Sequence, residues 1–372
     1  MLAIERNNIN RATAIQTGKA YFDNIALLRI ILIFLLVWTH AFAPWHGWGE
    51  IEGVPASKNY FHWIGKITYY IFMPGLLMIS GFLLGSSAKR KPERLNAHGL
   101  IVKKIKRLLI PSIIFSFVYY LMFYDLSASP VIILNSILNG CGHLWFLPML
   151  FWCFVITWFV SKLGIKHQII LIFAILTAII PPPLGGLSFR LNNALHYYIY
   201  FYMGFSIQTG MLSFLEKAGT VKNIFIAIAI YLTTFTLYNT GFFDSVINIA
   251  GTSNNEIQKV AVLGAKILNL SIANIAVLVM SVAGLLTAFW IVNLIVGKGY
   301  SLSGWLVQLS TYCYGVYILQ QFLLMFIYYH SSLPQTVSID ILPYIAILIT
   351  LAGCLVMVHF FLKTRAGRFL IG

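Results

Sequence analysis

Residues 21–42 read YFDNIALLRIILIFLLVWTHAF, and this segment decides what kind of protein the chain makes. From Asn24 onward its only ionisable side chains are Arg29 and His40. A helix needs ~20 mostly apolar residues to cross a bilayer, so the segment predicts a membrane span. Comparable runs recur near 67–86, 108–124, 144–161, 167–183, 195–211, 222–242, 273–296, 305–330 and 341–362. No polar block between them is long enough to fold by itself. Of 372 residues, 59% are hydrophobic and 9% charged, with a mean hydropathy of +0.84. A soluble domain carries roughly 25% charged residues, so an aqueous surface cannot be built here. The expected fold is an all-α polytopic membrane protein of about ten transmembrane helices with both termini cytoplasmic. A single transmembrane domain over 25–363 would lie between a cytoplasmic N-terminal segment, 1–24, and a cytoplasmic tail, 364–372. Residues 131–139 are too short to cross and read as re-entrant or interfacial. Residues 255–272, with Lys259 and Lys266, read as an amphipathic lead-in to the eighth span.

The net charge of +15 raises the question of nucleic acid, and its distribution answers it. With the N-terminus cytoplasmic, 19 of the 25 basic residues fall in inner segments. Lys58, Lys66, Arg190, Lys259 and Lys266 lie outside, and Arg29 lies within the first span. That bias is the positive-inside rule, so the basicity is topological. Residues 1–24 are polar without a short apolar core, so no cleavable signal is expected and the first span serves as anchor. Cys141, Cys153, Cys313 and Cys354 have no metal-site spacing and read as free, semi-buried thiols. The phosphate-loop, HExxH, GxSxG and GxGxxG signatures are absent. Any chemistry must therefore use polar groups inside or at the edge of the membrane, where each one is costly.

Arg29 and His40 are eleven residues apart. That spacing returns to the same helix face and separates them by ~16 Å along the axis. Arg29 either snorkels to the inner interface or holds an anion. His40 either bonds across helices or acts as a base, because imidazole titrates near neutrality. Asp23 stands where an N-cap would. Gly81 and Gly85 form a small-xxx-small pair suited to close helix packing, with Ser80 bonding backbone or a neighbour. Lys104 and Arg107, three apart before Pro111, either anchor the chain at anionic lipid or join Arg29 in holding a phosphorylated donor. Three outer clusters are rich in aromatics. The first holds Trp45, Trp48, Tyr60, Phe61 and Trp63 with His46, Glu50, Glu52 and His62; the second holds His143 and Trp145; the third holds Arg190, Asn192, Asn193, His196, Tyr197 and Tyr200. They read as an interfacial belt or as a carbohydrate surface. Arg190 is not explained by the positive-inside rule.

The order Asp23, Arg29, His40, then ISGFLL (79–84), KKIKRLLIP (103–111), HLWFLPML (143–150) and TYCYGVYIL (311–319) resembles the membrane acyltransferase-3 family from about residue 20 to 363. These proteins O-acylate sugars, polysaccharides and lipids. The resemblance implies a stand-alone enzyme of the plasma (inner) membrane that moves an acyl group from cytoplasmic acyl-CoA to a cell-envelope hydroxyl. Acetyl is the first choice and succinyl the second. His40 would be the essential histidine, as base or transient acyl carrier, and Arg29, Lys104 and Arg107 would hold the donor. Trp45, His143, Trp145 and Arg190 would face the acceptor, a carbohydrate or lipid-linked glycan, with Asp23 and Ser80 in support. No metal, permanent cofactor or nucleic acid is implied, and self-association is left open. Two positions depart from the pattern. Lys104 keeps the charge of an arginine but lacks its bidentate fork, and Gln320 stands where the family often has histidine. The rival class is a multi-span transporter or a flippase of lipid-linked sugars.

Overall fold

The computed structural model describes residues 23–49, 51–52, 59–96, 98–181, 189–243, 256–297 and 302–372. Glu50 and Lys58 lie outside this set, as does nearly all of the N-terminal segment. Among the described residues there are helices and turns and no strand. The main elements are α1 (Asp23–Ala41), α2 (Asn59–Arg90), α3 (Gly99–Phe123), α4 (Pro130–Asn139), α5 (Gly142–Lys162) and α6 (His167–Ile179). They continue as α7 (Leu191–Thr209), α8 (Val221–Asn239), α9 (Glu256–Gly297), α10 (Gly304–Tyr329), α11 (Leu342–Lys363) and α12 (Arg365–Ile371). Eight of them are long and apolar enough to cross a membrane: α1, α2, α3, α5, α8, α9, α10 and α11. Large apolar side chains on their outer faces, such as Phe225 (67% exposed) and Leu348 (68%), suit hydrocarbon and not water.

The other two expected spans are also helices, with physical differences. The one expected over 167–183 is α6, which has 13 residues and stops at Ile179. The one expected over 195–211 is α7, whose tyrosines and glutamine lower its hydropathy. It needs no lipid-facing stripe, since every residue from Tyr198 to Gln208 is buried in protein. The stretch 131–139 belongs to α4, a short helix packed on α3 with Val131, Ile132 and Leu134 exposed. The expected lead-in at 255–272 is no separate element. It is continuous with the span in α9, a 42-residue helix ~63 Å long, and exposes Val260, Leu263, Leu268 and Leu270. The residues expected as a tail form α12, capped by Thr364 Oγ1 on the Gly367 N–H, with Ile371 fully buried. All four cysteines are free and buried.

The closest packing joins α2 to α7. A Cβ on Gly81 would overlap the Phe201 carbonyl, and one on Gly204 would overlap that of Met78. The small-xxx-small pair is therefore a backbone-to-backbone contact. Gly81→Val must push two central helices apart, beyond the ~1–3 kcal/mol of ordinary overpacking. A lower melting temperature in detergent is expected for it, with Gly99→Ala, where a Cβ meets open space, unchanged.

Opposite ends of the bundle are marked by different contacts. At the end where α1 begins, the Asp23 carboxylate accepts from the Leu302 N–H (3.2 Å). At the other end Tyr60 donates to Asp340, Tyr329 to the Gly49 carbonyl and Gln335 to the Glu52 carbonyl. Asp23, expected as an N-cap, thus ties α1 to the strap before α10 and is itself buried.

Candidate functional site

The cationic end holds a cavity of about 580 Å³. Arg29 enters from α1, Ser80 from α2, Lys103, Lys104 and Arg107 from α3, and Tyr314 from α10. Four cationic side chains and no Asp or Glu side chain are among its lining, so its charge and size suit an anion of small-molecule size. Lys104 rests 3.6 Å from the centre of the Phe154 ring, a cation–π contact that orders its long stem. Ser80 bonds back to the Leu76 carbonyl and contributes to the wall.

Local sequence explains how α3 presents these groups. Pro111 has no N–H, so it cannot bond the carbonyl four residues back, that of Arg107. The helix widens there into a π turn, Ile105–Leu109, and Tyr314 Oη donates to the freed Arg107 carbonyl (2.8 Å). Lys104 therefore directly precedes the bulge and Arg107 lies within it, so the pair departs from ideal α spacing, and both still line the cavity.

Three turns along α1, His40 Nδ1–H donates to Gln320 Oε1 of α10 (3.0 Å). An amide oxygen only accepts, so this bond fixes the tautomer and leaves the Nε2 lone pair available. Trp48 (ring centres 5.8 Å apart), Phe72 (6.2 Å) and His143 (6.3 Å) surround the imidazole. His143 is aimed by the segment Asn139–His143, which reads NGCGH. Gly140 and Gly142 both have positive φ (82° and 51°), a conformation glycine adopts freely, and they turn α4 into α5 within three residues. Its Nε2–H donates to the Ile318 carbonyl (2.9 Å) and its N–H to Gln321 Oε1 (2.8 Å), while Tyr317 Oη donates to its carbonyl (2.8 Å).

The cavity and the imidazoles are neighbours. Tyr317 and Phe146 line the cavity, and the Tyr317 ring centre is 5.3 Å from that of His143. Neither His40 nor His143 lines the cavity, and the Tyr317 ring links the cavity to the histidine pair.

The acceptor-side residues are brought together only in part. Arg190, with a left-handed backbone (φ 59°), donates from Nε to the Asn139 carbonyl (2.9 Å) and stacks 5.9 Å over Trp145. Trp145 meets Tyr197 (6.2 Å), Tyr197 bonds Tyr69, and Tyr69 meets Phe72 (5.7 Å), the ring beside His40. Trp45 instead packs into a scaffold of Phe42, Phe61 and Tyr328, and the outer tryptophan beside His40 is Trp48. In the same turn His46 Nε2–H donates to the Thr39 carbonyl, and burial lowers its pKa below the usual imidazole value. Sequence reasoning missed Gln321 and treated Gln320 only as a departure. Two adjacent amides in an apolar span carry a cost that would have marked them.

No curated protein and no solved structure matches the chain. The family model described as an acyltransferase domain matches residues 22–360, a range that contains the four cationic side chains of the cavity, both histidines and Gln320. The chain thus belongs to the acyltransferase-3 family of membrane proteins.

Proposed function

We propose that the protein is an acyl-CoA-dependent O-acyltransferase of the plasma (inner) membrane. In this reading ten spans place both termini and the cationic end in the cytoplasm, following the positive-inside rule. Arg29, Lys104 and Arg107 hold the donor's phosphates, where guanidinium forks suit phosphate oxygens and Lys104 supplies a point charge. The pantetheine arm extends from the cavity toward His40, and the Tyr317 and Phe146 rings move aside for the thioester. His40 Nε2 then acts on the acyl carbonyl as nucleophile, or on the acceptor hydroxyl as base. The acceptor is a carbohydrate or lipid-linked glycan hydroxyl approaching from the other end, along Trp48, Trp145 and Arg190. Acetyl is the expected acyl group.

One observation carries this reading. Four cationic side chains with no Asp or Glu among them converge on a cavity also lined by Tyr317, whose ring meets that of His143 beside His40. The test uses purified protein in detergent and acetyl-CoA labelled in the acetyl group. Saturable binding displaced by free CoA, with release or transfer of the label, is the expected result. A protein that neither binds nor consumes the thioester is not this enzyme, and the flippase alternative then takes its place.

A further inference from the structure

Two polar atoms beside His40 are buried with no hydrogen-bond partner among the described residues: Gln320 Nε2, a donor, and His143 Nδ1, an acceptor. Gln320 is completely buried and His143 is 6% exposed. An unmade hydrogen bond on a buried group costs ~1–3 kcal/mol, so two in one cluster call for a ligand that completes them. Both are orphaned for a local reason. Gln320 spends its oxygen on His40 Nδ1, and His143 spends its Nε2–H on the Ile318 carbonyl. The molecule that satisfies both must bring an acceptor to the amide and a donor to the imidazole. A carbonyl oxygen and a hydroxyl have that chemistry, and they are the two ends of an acyl transfer.

Resting on the acyl-CoA reading above, we propose that His143 is the base for the acceptor hydroxyl and that the Gln320 amide stabilises the oxyanion, while His40 carries the acyl group. In the first step His40 Nε2 attacks the thioester carbonyl and the N–C bond forms. Negative charge on oxygen is held by Gln320 Nε2–H, and the C–S bond breaks, its electron pair leaving as CoA thiolate. In the second step the acceptor O–H gives its proton to His143 Nδ1 as its oxygen attacks the acyl carbon. The N–C bond breaks and its pair returns to Nε2 of His40. The proton on His143 then passes through water to the thiolate, so the net products are ester and free CoA thiol. The two imidazole ring centres lie 6.3 Å apart, close enough for one small group to reach both. Tyr317 Oη and Gln321 fix the backbone of His143, so its ring does not depend on substrate for its place.

The test measures protein-bound and released label from acetyl-labelled CoA, with water as the acceptor that is always present. The full-length protein is compared with His143→Gln, which keeps a donor for the Ile318 carbonyl and loses the base, and with Gln320→Glu, which keeps the acceptor for His40 and loses the donor. His143→Gln should give a burst of about one label per chain at the wild-type rate, with release slowed on the order of 10²–10⁴-fold. Gln320→Glu should slow the burst itself on the order of 10²–10³-fold. If His143→Gln does not fold, His143→Ala should regain release on addition of free imidazole. Wild-type release by His143→Gln, loss of burst and release together in that variant when folded, or no rescue of His143→Ala each overturns the proposal. A wild-type protein that leaves acetyl-CoA intact overturns the acyl-CoA reading itself, which separates the two failures.

Discussion

His40→Ala is expected to reduce acyl transfer to the background rate while leaving the affinity for acyl-CoA nearly unchanged. The reason is the division of labour along α1. The anion site is built from Arg29, Lys103, Lys104 and Arg107, and His40 does not line that cavity. Removing the imidazole deletes the lone pair that meets the carbonyl without touching a cation that holds phosphate. A positioned base alone accounts for on the order of 10²–10⁴-fold in rate, and a nucleophile for more. Folding should survive, because His40 makes one side-chain hydrogen bond, to Gln320, and is only partly buried. Donor titration by calorimetry alongside turnover of labelled acetyl-CoA separates the two quantities. Transfer at the wild-type rate by this variant would remove His40 from the chemistry.

Arg107→Ala and Arg29→Ala should behave in the opposite way, each raising KM for the donor with a smaller effect on kcat at saturation. Charge-assisted hydrogen bonds contribute ~1.5–3 kcal/mol, which corresponds to roughly a 10–150-fold loss of affinity per arginine. No Asp or Glu lines the cavity beside either guanidinium. Arg29→Lys distinguishes binding from snorkelling. A residue that only reaches for the interface tolerates lysine, whereas one that grips phosphate by its fork loses affinity even though the charge is kept. Initial-rate kinetics at several salt concentrations check this, since the lost interaction should also flatten the salt dependence of KM. An unchanged KM in both alanine variants would send the donor elsewhere.

The membrane class and the helical content were legible because hydrocarbon sets the length and composition of a span. That Arg29, Lys104 and Arg107 share one cavity was legible as well, since cations at fixed intervals on two helices were few enough to name. Other features depended on contacts between segments far apart in sequence. The low hydropathy of α7 is explained only by neighbours that enclose it. Asp23 resembled a helix cap, yet its partner is Leu302, 279 residues away. Trp45 and Trp48 are equivalent as interfacial aromatics, and only the turn after α1 decides which one meets His40. The role of Gln320 follows from a bond 280 residues long in sequence, to His40.

Tyr314 grips the bulge of α3 at the cationic end, and Gln320, six residues further along the same helix, holds the imidazole. The two attachments are therefore ~9 Å apart on one rigid rod. Under the proposed acyl-CoA reading that rod works as a ruler, setting the gap between where a donor is grasped and where its far end reacts. A bilayer that thins or thickens tilts the rod without changing its gradations, so the reach demanded of the substrate stays constant across membranes of different thickness.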